Sequence, residues 1–137
     1  MGLYLCIFDG DDELEGIQVG SYDDFHFFRN TVVTVAEGGL AGSRCPTLNN
    51  HHDSDGEWSP SECSILIKEI ELIRVAFELS PVVDLNSQWQ SDVARKSGIV
   101  PKTLAECFFD VDGEPLLDRL KALADRGKRL GLPILFQ

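Results

Sequence analysis

The longest periodic stretch of this chain, from Ser59 to Leu79, is apolar on two sides, and that limits what can be built around it. Ser59-Pro60-Ser61-Glu62 reads as a capping box with proline at the first helical position, which fixes the helix start. Ser80-Pro81 marks its end. Cys63, Leu66, Ile67, Ile70, Ile73 and Phe77 form the wider stripe, while Ile65, Leu72, Ala76 and Leu79 lie opposite. Such a helix is either sandwiched inside its domain or turns one side to a partner. The sandwich is the expectation; a homodimer through the second stripe stays open.

The pattern Asp-x-Asp-Gly-Glu occurs twice, each time running into a helix start. Asp53-Ser54-Asp55-Gly56-Glu57 leads into Trp58 and the capping box, and Asp110-Val111-Asp112-Gly113-Glu114 leads into Pro115. The simplest reading is mechanical: aspartates cap turns and helix starts, and glycine supplies positive φ. Carboxylates there also gain roughly 0.3–1 kcal/mol each from the helix dipole.

The other elements follow from the same kinds of signal. Leu3 to Phe8 is a short apolar strand, expected to be buried on both faces. Asp9-Gly10-Asp11-Asp12-Glu13 is a charged turn, and Ile17-Gln18-Val19 reads as a returning strand. Ser21 with Asp24 caps a helix whose face is Phe25, Phe28, Val32, Val35 and Ala36, ended by Gly38-Gly39. Pro46-Thr47-Leu48 is a candidate strand, Trp89 and Val93 suggest a short helix, and Leu104 to Val111 is a further candidate strand. Leu116, Leu117, Leu120, Leu123 and Ala124 define a last helix, with acids at its start, Arg126, Lys128 and Arg129 at its end, and Gly131 as its stop. Pro133 to Gln137 is a final strand, so the C-terminal third predicts a right-handed parallel β-α-β unit. The whole is expected to be a single α+β domain over residues 1–137, a mixed sheet of about four or five strands packed by three main helices.

Charge narrows the partners. Of the formal net charge of −11, nearly all sits in residues 1–62, where twelve acids face only Arg29 and Arg44. That excludes nucleic acid, whose phosphates need Lys and Arg, and suits a cation site or a basic protein partner. No stretch reaches the ~20 apolar residues of a membrane span, and no signal-peptide pattern opens the chain, so a cytoplasmic location is expected. The four cysteines are spread singly and read as buried reduced thiols.

Catalytic and metal chemistry find little to stand on. There is no G-x-S-x-G, Walker A or H-E-x-x-H motif, so no catalytic residue or cofactor is assigned. With Gly56 as the turn glycine of an EF-hand-like loop, Asp53, Asp55 and Glu62 fall at calcium-ligand positions. His51 stands where the leading aspartate belongs, and in the second copy Phe108 does. A calcium-binding interaction module built on 53–62 is therefore the alternative. The adjacent His51-His52 would point to opposite sides of a strand, which disfavours zinc.

Several blocks carry a resemblance: Met1-Gly2-Leu3-Tyr4-Leu5, Val19-Gly20-Ser21-Tyr22, Pro46-Thr47-Leu48, Asp55 through Pro60, Cys107-Phe108 and Asp112 through Leu117, and the closing Pro133 to Gln137. Together they are similar to a family of small bacterial immunity proteins encoded beside polymorphic toxins. The resemblance implies a non-catalytic α+β domain that neutralises a cognate toxin by direct contact, and it supplies no binding residues. The acidic half-surface suits a basic toxin such as a nuclease. The contact residues expected from the sequence are Asp11, Asp12 and Glu13 in the first acidic turn, with Asp53, Asp55, Glu57 and Trp58 in the second. Trp58 has two readings, as an aromatic anchor for the partner or as a staple on the following helix.

Overall fold

The computed structural model describes residues 2–51 and 56–137. Strands β1 (Gly2–Asp9) and β2 (Asp12–Ser21) form a hairpin, and helix α1 (Tyr22–Val35) follows directly. Then come α2 (Pro46–Asn49), β3 (Glu57–Trp58), α3 (Pro60–Glu78), α4 (Gln88–Ser97), a 3-10 turn (Leu104–Cys107), α5 (Leu116–Leu130) and β4 (Ile134–Phe136). Among the described residues the sheet has four strands in the order β2-β1-β4-β3, and each of their pairings is antiparallel.

The architecture is α+β, with α1, α3 and α5 as its principal helices around one hydrophobic cluster. Local chemistry sets where these helices begin. Ser21 Oγ accepts from Asp24 N at 3.1 Å while Asp24 Oδ2 accepts from Ser21 N at 2.9 Å. Ser59 and Glu62 repeat that exchange at the start of α3. The β-branched run Thr31–Val35 stays helical because burial of Phe25, Phe28 and Val32 on one face outweighs its weak propensity, while its threonine hydroxyls donate back to Phe27 O and Asn30 O.

The sheet is antiparallel rather than mixed, and no C-terminal β-α-β unit forms. Leu104 to Val111 does not enter the sheet: it makes a 3-10 turn and a single bridge between Phe109 and Pro115. Its aromatics are drawn to the helices instead, with the Phe108 ring 5.2 Å from Phe28 and 5.6 Å from Phe77. β4 therefore returns between β1 and β3, antiparallel to both.

Pro46-Thr47-Leu48 is the second departure, one helical turn instead of a strand. Proline suits a first helical position, and the Glu69 carboxylate on α3 accepts from the Thr47 and Leu48 amides at 3.1 and 3.0 Å.

The two stripes of α3 meet different fates. Cys63, Leu66, Ile70, Ile73 and Phe77 are fully buried, at roughly 1.5–3 kcal/mol of hydrophobic stabilisation for each large side chain. The opposite stripe is not sandwiched: Ile65, Leu72 and Leu79 are 49%, 37% and 84% exposed. Among the described residues, neighbouring elements cover α3 on one side only.

Candidate binding surface

The β1–β2 hairpin carries the densest run of acids. Asp9 pairs with Asp12 across a two-residue turn in which Gly10 takes φ +63°, as the first position of a type II′ turn requires. Asp9, Asp11, Asp12 and Glu13 are all exposed. The bases near the root of the hairpin are held elsewhere. Arg126 pairs with Glu15 at 3.0 Å, and Arg119 donates to Gly16 O at 2.9 Å and lies 3.2 Å from Asp110. Among the described residues no base pairs with Asp9, Asp11 or Asp12, so the tip keeps its negative field.

A strip of strand surface lies beside the tip. Leu3, Leu5 and Ile7 are fully buried in the core, so the alternation of β1 sends Tyr4, Cys6 and Phe8 to the other face. Tyr4 and Phe8 remain half-buried there. Tyr4 lies over Gly16, where a Cβ would come within 1.9 Å of its hydroxyl, so only glycine fits. Burial, followed by a hydrogen bond to Glu13, pushes the Tyr4 hydroxyl up to about 12. Gly16, Cys6, Leu135 and Glu57 follow one another in register across all four strands. The hairpin acids and Glu57 thus sit at opposite rims of a face whose middle is Tyr4, Phe8 and Leu135. In the sequence Tyr4 and Phe8 are hidden because β1 reads as a strand buried on both sides, and Leu135 because its place beside them follows only from the pairing of β4 with β1.

The contact residues expected from the sequence are therefore dispersed. Asp11, Asp12 and Glu13 stand together, and Glu57 is exposed on the far edge, with β1 and β4 between. Trp58 is fully buried, its Nε1 donating to Thr47 O at 2.9 Å and its ring 4.7 Å from Phe136. It is a core residue and offers no surface to a partner, which decides for the packing role. Asp53 and Asp55 lie outside the described residues. Of the expected calcium ligands, Glu62 is engaged in capping Ser59, and the described residues hold no group of three metal-ligating side chains.

Four other carboxylates are interior. Asp24 accepts from Ser21 N and Oγ, Trp89 Nε1, Asn86 Nδ2 and Ser87 Oγ. Burial pushes its pKa up, but the Ser87, Trp89, Asn86 and Ser21 donors outweigh it and leave the group at about 2. Glu37 is held below its ordinary value in the same way: burial opposes, and the amides of Arg44 and Cys45 prevail. Glu69 goes the other way, raised by burial that the Leu48 and Thr47 amides only partly offset. Asp110 Oδ1 accepts from the amides of Asp112 and Glu114, so the second Asp-x-Asp-Gly-Glu copy is an Asx-type turn closed on its own backbone. Gly113 at φ +83° completes it, and Gly56 likewise takes a positive φ, at +88°.

Enclosed chemistry is sparse. A cleft of about 820 Å³ opens between the C-terminal half of α3, the 98–109 segment and the start of α5. Two of its ionisable groups, Arg74 and Asp118, are paired to each other at 2.5 Å. All four cysteines are free and buried, with burial pushing Cys45 to about 12 and Cys63 to about 11, far from nucleophilic thiolates. Among the described residues no helix is long and apolar enough to cross a membrane.

What the fold presents at the hairpin end is an acidic, open surface on an α+β scaffold. The family model described as Immunity protein 70 matches residues 3–136, and the chain belongs to that family. Comparison with curated proteins finds no match, and comparison with solved structures finds none.

Proposed function

We propose that this chain protects the cell that makes it by binding a cognate toxin of a polymorphic toxin system in the cytoplasm, with no catalytic step of its own. The toxin surface it meets is basic, as on a nuclease, and it docks on the hairpin acids Asp11, Asp12 and Glu13. The observation that carries the reading is the uncompensated charge of that tip: consecutive exposed acids with the neighbouring arginines bound away. Complementary fields of this kind speed encounter and reject like-charged partners. Tyr4, Phe8 and Leu135 supply the apolar centre that charge alone lacks, and Glu57 marks the far rim.

Co-expression with the toxin encoded beside this chain tests the function: growth should be restored by the wild type. Failure of rescue by a well-folded, well-expressed chain would sink the proposal. The surface is tested separately by Asp11→Lys with Asp12→Lys, which should slow association about 10- to 100-fold at low salt and less at high salt.

A further inference from the structure

The β1–β2 hairpin outruns the sheet that carries it. β4 pairs with β1 at Leu5 and Cys6 and goes no further toward the tip, so among the described residues the stretch beyond is a ribbon of two strands. Such a ribbon is marginal in water by itself, and it twists more than a full sheet does. The ladder also shifts register between Ile7 and Phe8, an irregularity that bends a strand. The direction of Asp11, Asp12 and Glu13 is therefore set by whatever grips the hairpin below that point.

The grip comes from α5 and the turn before it. Arg119 Nη2 donates to Gly16 O at 2.9 Å, and the Val111 amide donates to Gln18 O at 3.2 Å. Those carbonyls are two residues apart and lie along the edge of β2 that has no neighbouring strand. Arg126 and Arg119 also reach Glu15, at 3.0 and 3.8 Å. Arg119 is held in turn by Asp110: Nε and Oδ2 face each other at 3.2 Å, both shielded from water. Asp110 Oδ1 meanwhile accepts from the amides of Asp112 and Glu114. One carboxylate thus closes the second Asp-x-Asp-Gly-Glu turn and aims the arginine that clasps the hairpin.

We infer that Arg119, oriented by Asp110, is a positioning residue that fixes the direction in which the hairpin presents Asp11, Asp12 and Glu13. The purpose of this brace rests on the toxin contact proposed above; the brace itself does not. Holding the ribbon before encounter removes an ordering cost from binding. A chain in which only a fraction of hairpins point correctly binds more weakly by that fraction. Charge makes the opposite demand. Removing a positive group beside the acids strengthens the field that attracts a basic toxin, so charge and position predict opposite signs.

The first measurement is amide hydrogen exchange on the full chain without toxin. Arg119→Gln should speed exchange of the hairpin amides at least about tenfold more than exchange in α3. Arg119→Lys keeps the charge without the planar fork that joins Gly16 O to Asp110, and it should recover part of the protection. Arg129→Gln removes the same charge from the last turn of α5, where it pairs with Asp125, and should leave the hairpin as in the wild type. The second measurement titrates these proteins, at fixed salt, with the toxin encoded beside this chain. Arg119→Gln should weaken binding about tenfold, Arg119→Lys less, and Arg129→Gln hardly at all.

Hairpin exchange that is unchanged, or that rises no more than in α3, overturns the inference. So does toxin binding by Arg119→Gln that equals or exceeds that of the wild type. If Arg119→Gln does not fold, Asp110→Asn takes its place: the turn keeps its Oδ1 acceptor, and the same loosening and weaker binding are expected. A wild type that binds no toxin overturns the purpose together with the proposed function, whereas failure of the brace alone leaves wild-type binding intact.

Discussion

Two sets of carboxylates divide the labour in this molecule. At the hairpin tip, Asp9, Asp11, Asp12 and Glu13 are exposed, and the first three have no basic partner among the described residues. In the interior, Asp24, Glu37, Glu69 and Asp110 are each 4% exposed or less. The interior acids act as clamps. Asp24 ties the start of α1 to the loop before α4, Glu37 gathers the amides of Arg44 and Cys45, Glu69 caps α2 and Asp110 closes its turn. A negative net charge therefore overstates what is free to meet a partner, because some of these acids are consumed in holding loops to helices. The surplus with a surface to offer is local, and it lies at the tip.

Breaking an interior clamp should have the largest effect. Asp24→Ala strands the indole, amide and hydroxyl donors that converge on it and should cost about 3–4 kcal/mol in urea unfolding. Asp24→Asn, which retains an acceptor, should recover part of that loss. An unchanged midpoint in Asp24→Ala would end the distinction between the two sets.

Acid titration of the wild type comes next, and it separates the clamps from one another. Asp24 has a folded pKa of about 2 against an ordinary 3.8, so its ionised form is favoured by folding. Its contribution, about 2 kcal/mol, is present above the ordinary value and lost as pH falls through the folded one. Glu69 is raised above 4.5, so its charge is a burden to the native state at neutral pH. That burden is relieved as pH falls through its folded pKa and is gone below 4.5. Relative to Glu69→Gln, the wild type should gain stability on mild acidification, whereas relative to Asp24→Asn it should lose stability in stronger acid. Unfolding midpoints across that range, taken for all three proteins, check both slopes.

Asp110→Asn should fall lower still, at about 1–2 kcal/mol by thermal unfolding. It keeps the Oδ1 acceptor for the Asp112 and Glu114 amides but removes the charge facing Arg119. Smallest of all, Asp11→Asn, Asp12→Asn and Glu13→Gln combined should move stability by no more than about 0.5 kcal/mol, with any shift upward as like charges are relieved. The same variant should slow toxin association, and that pairing of a quiet fold with a slower encounter is what a surface role requires.

Much of the fold was legible because its signals are short-range. The capping boxes at Ser21 and Ser59, the glycine stop at Gly131 and the stripe of α5 each lie within a few residues of what they control, and the structure has them where the sequence puts them. The candidate surface was legible only in part. Asp11, Asp12 and Glu13 share one turn and could be read together. Glu57 needed the sheet order to be placed, and Tyr4, Phe8 and Leu135 needed knowledge of which face of β1 the helices cover. Glu69 left one faint trace, an acid in line with Leu66, Ile70 and Ile73, and its meaning appeared only when Pro46-Thr47-Leu48 arrived beside it as a helical turn.

The sequence by itself determined where the principal helices start, where Gly131 stops the last of them, and which half of the chain carries the charge. Those properties depend on neighbours along the backbone. Tertiary structure decided that Trp58 lies inside, that β4 enters antiparallel between β1 and β3, and that one apolar side of α3 stays open to solvent. An apolar stripe states that a face prefers cover; only the packing of distant segments decides whether the molecule supplies that cover or leaves it to a partner.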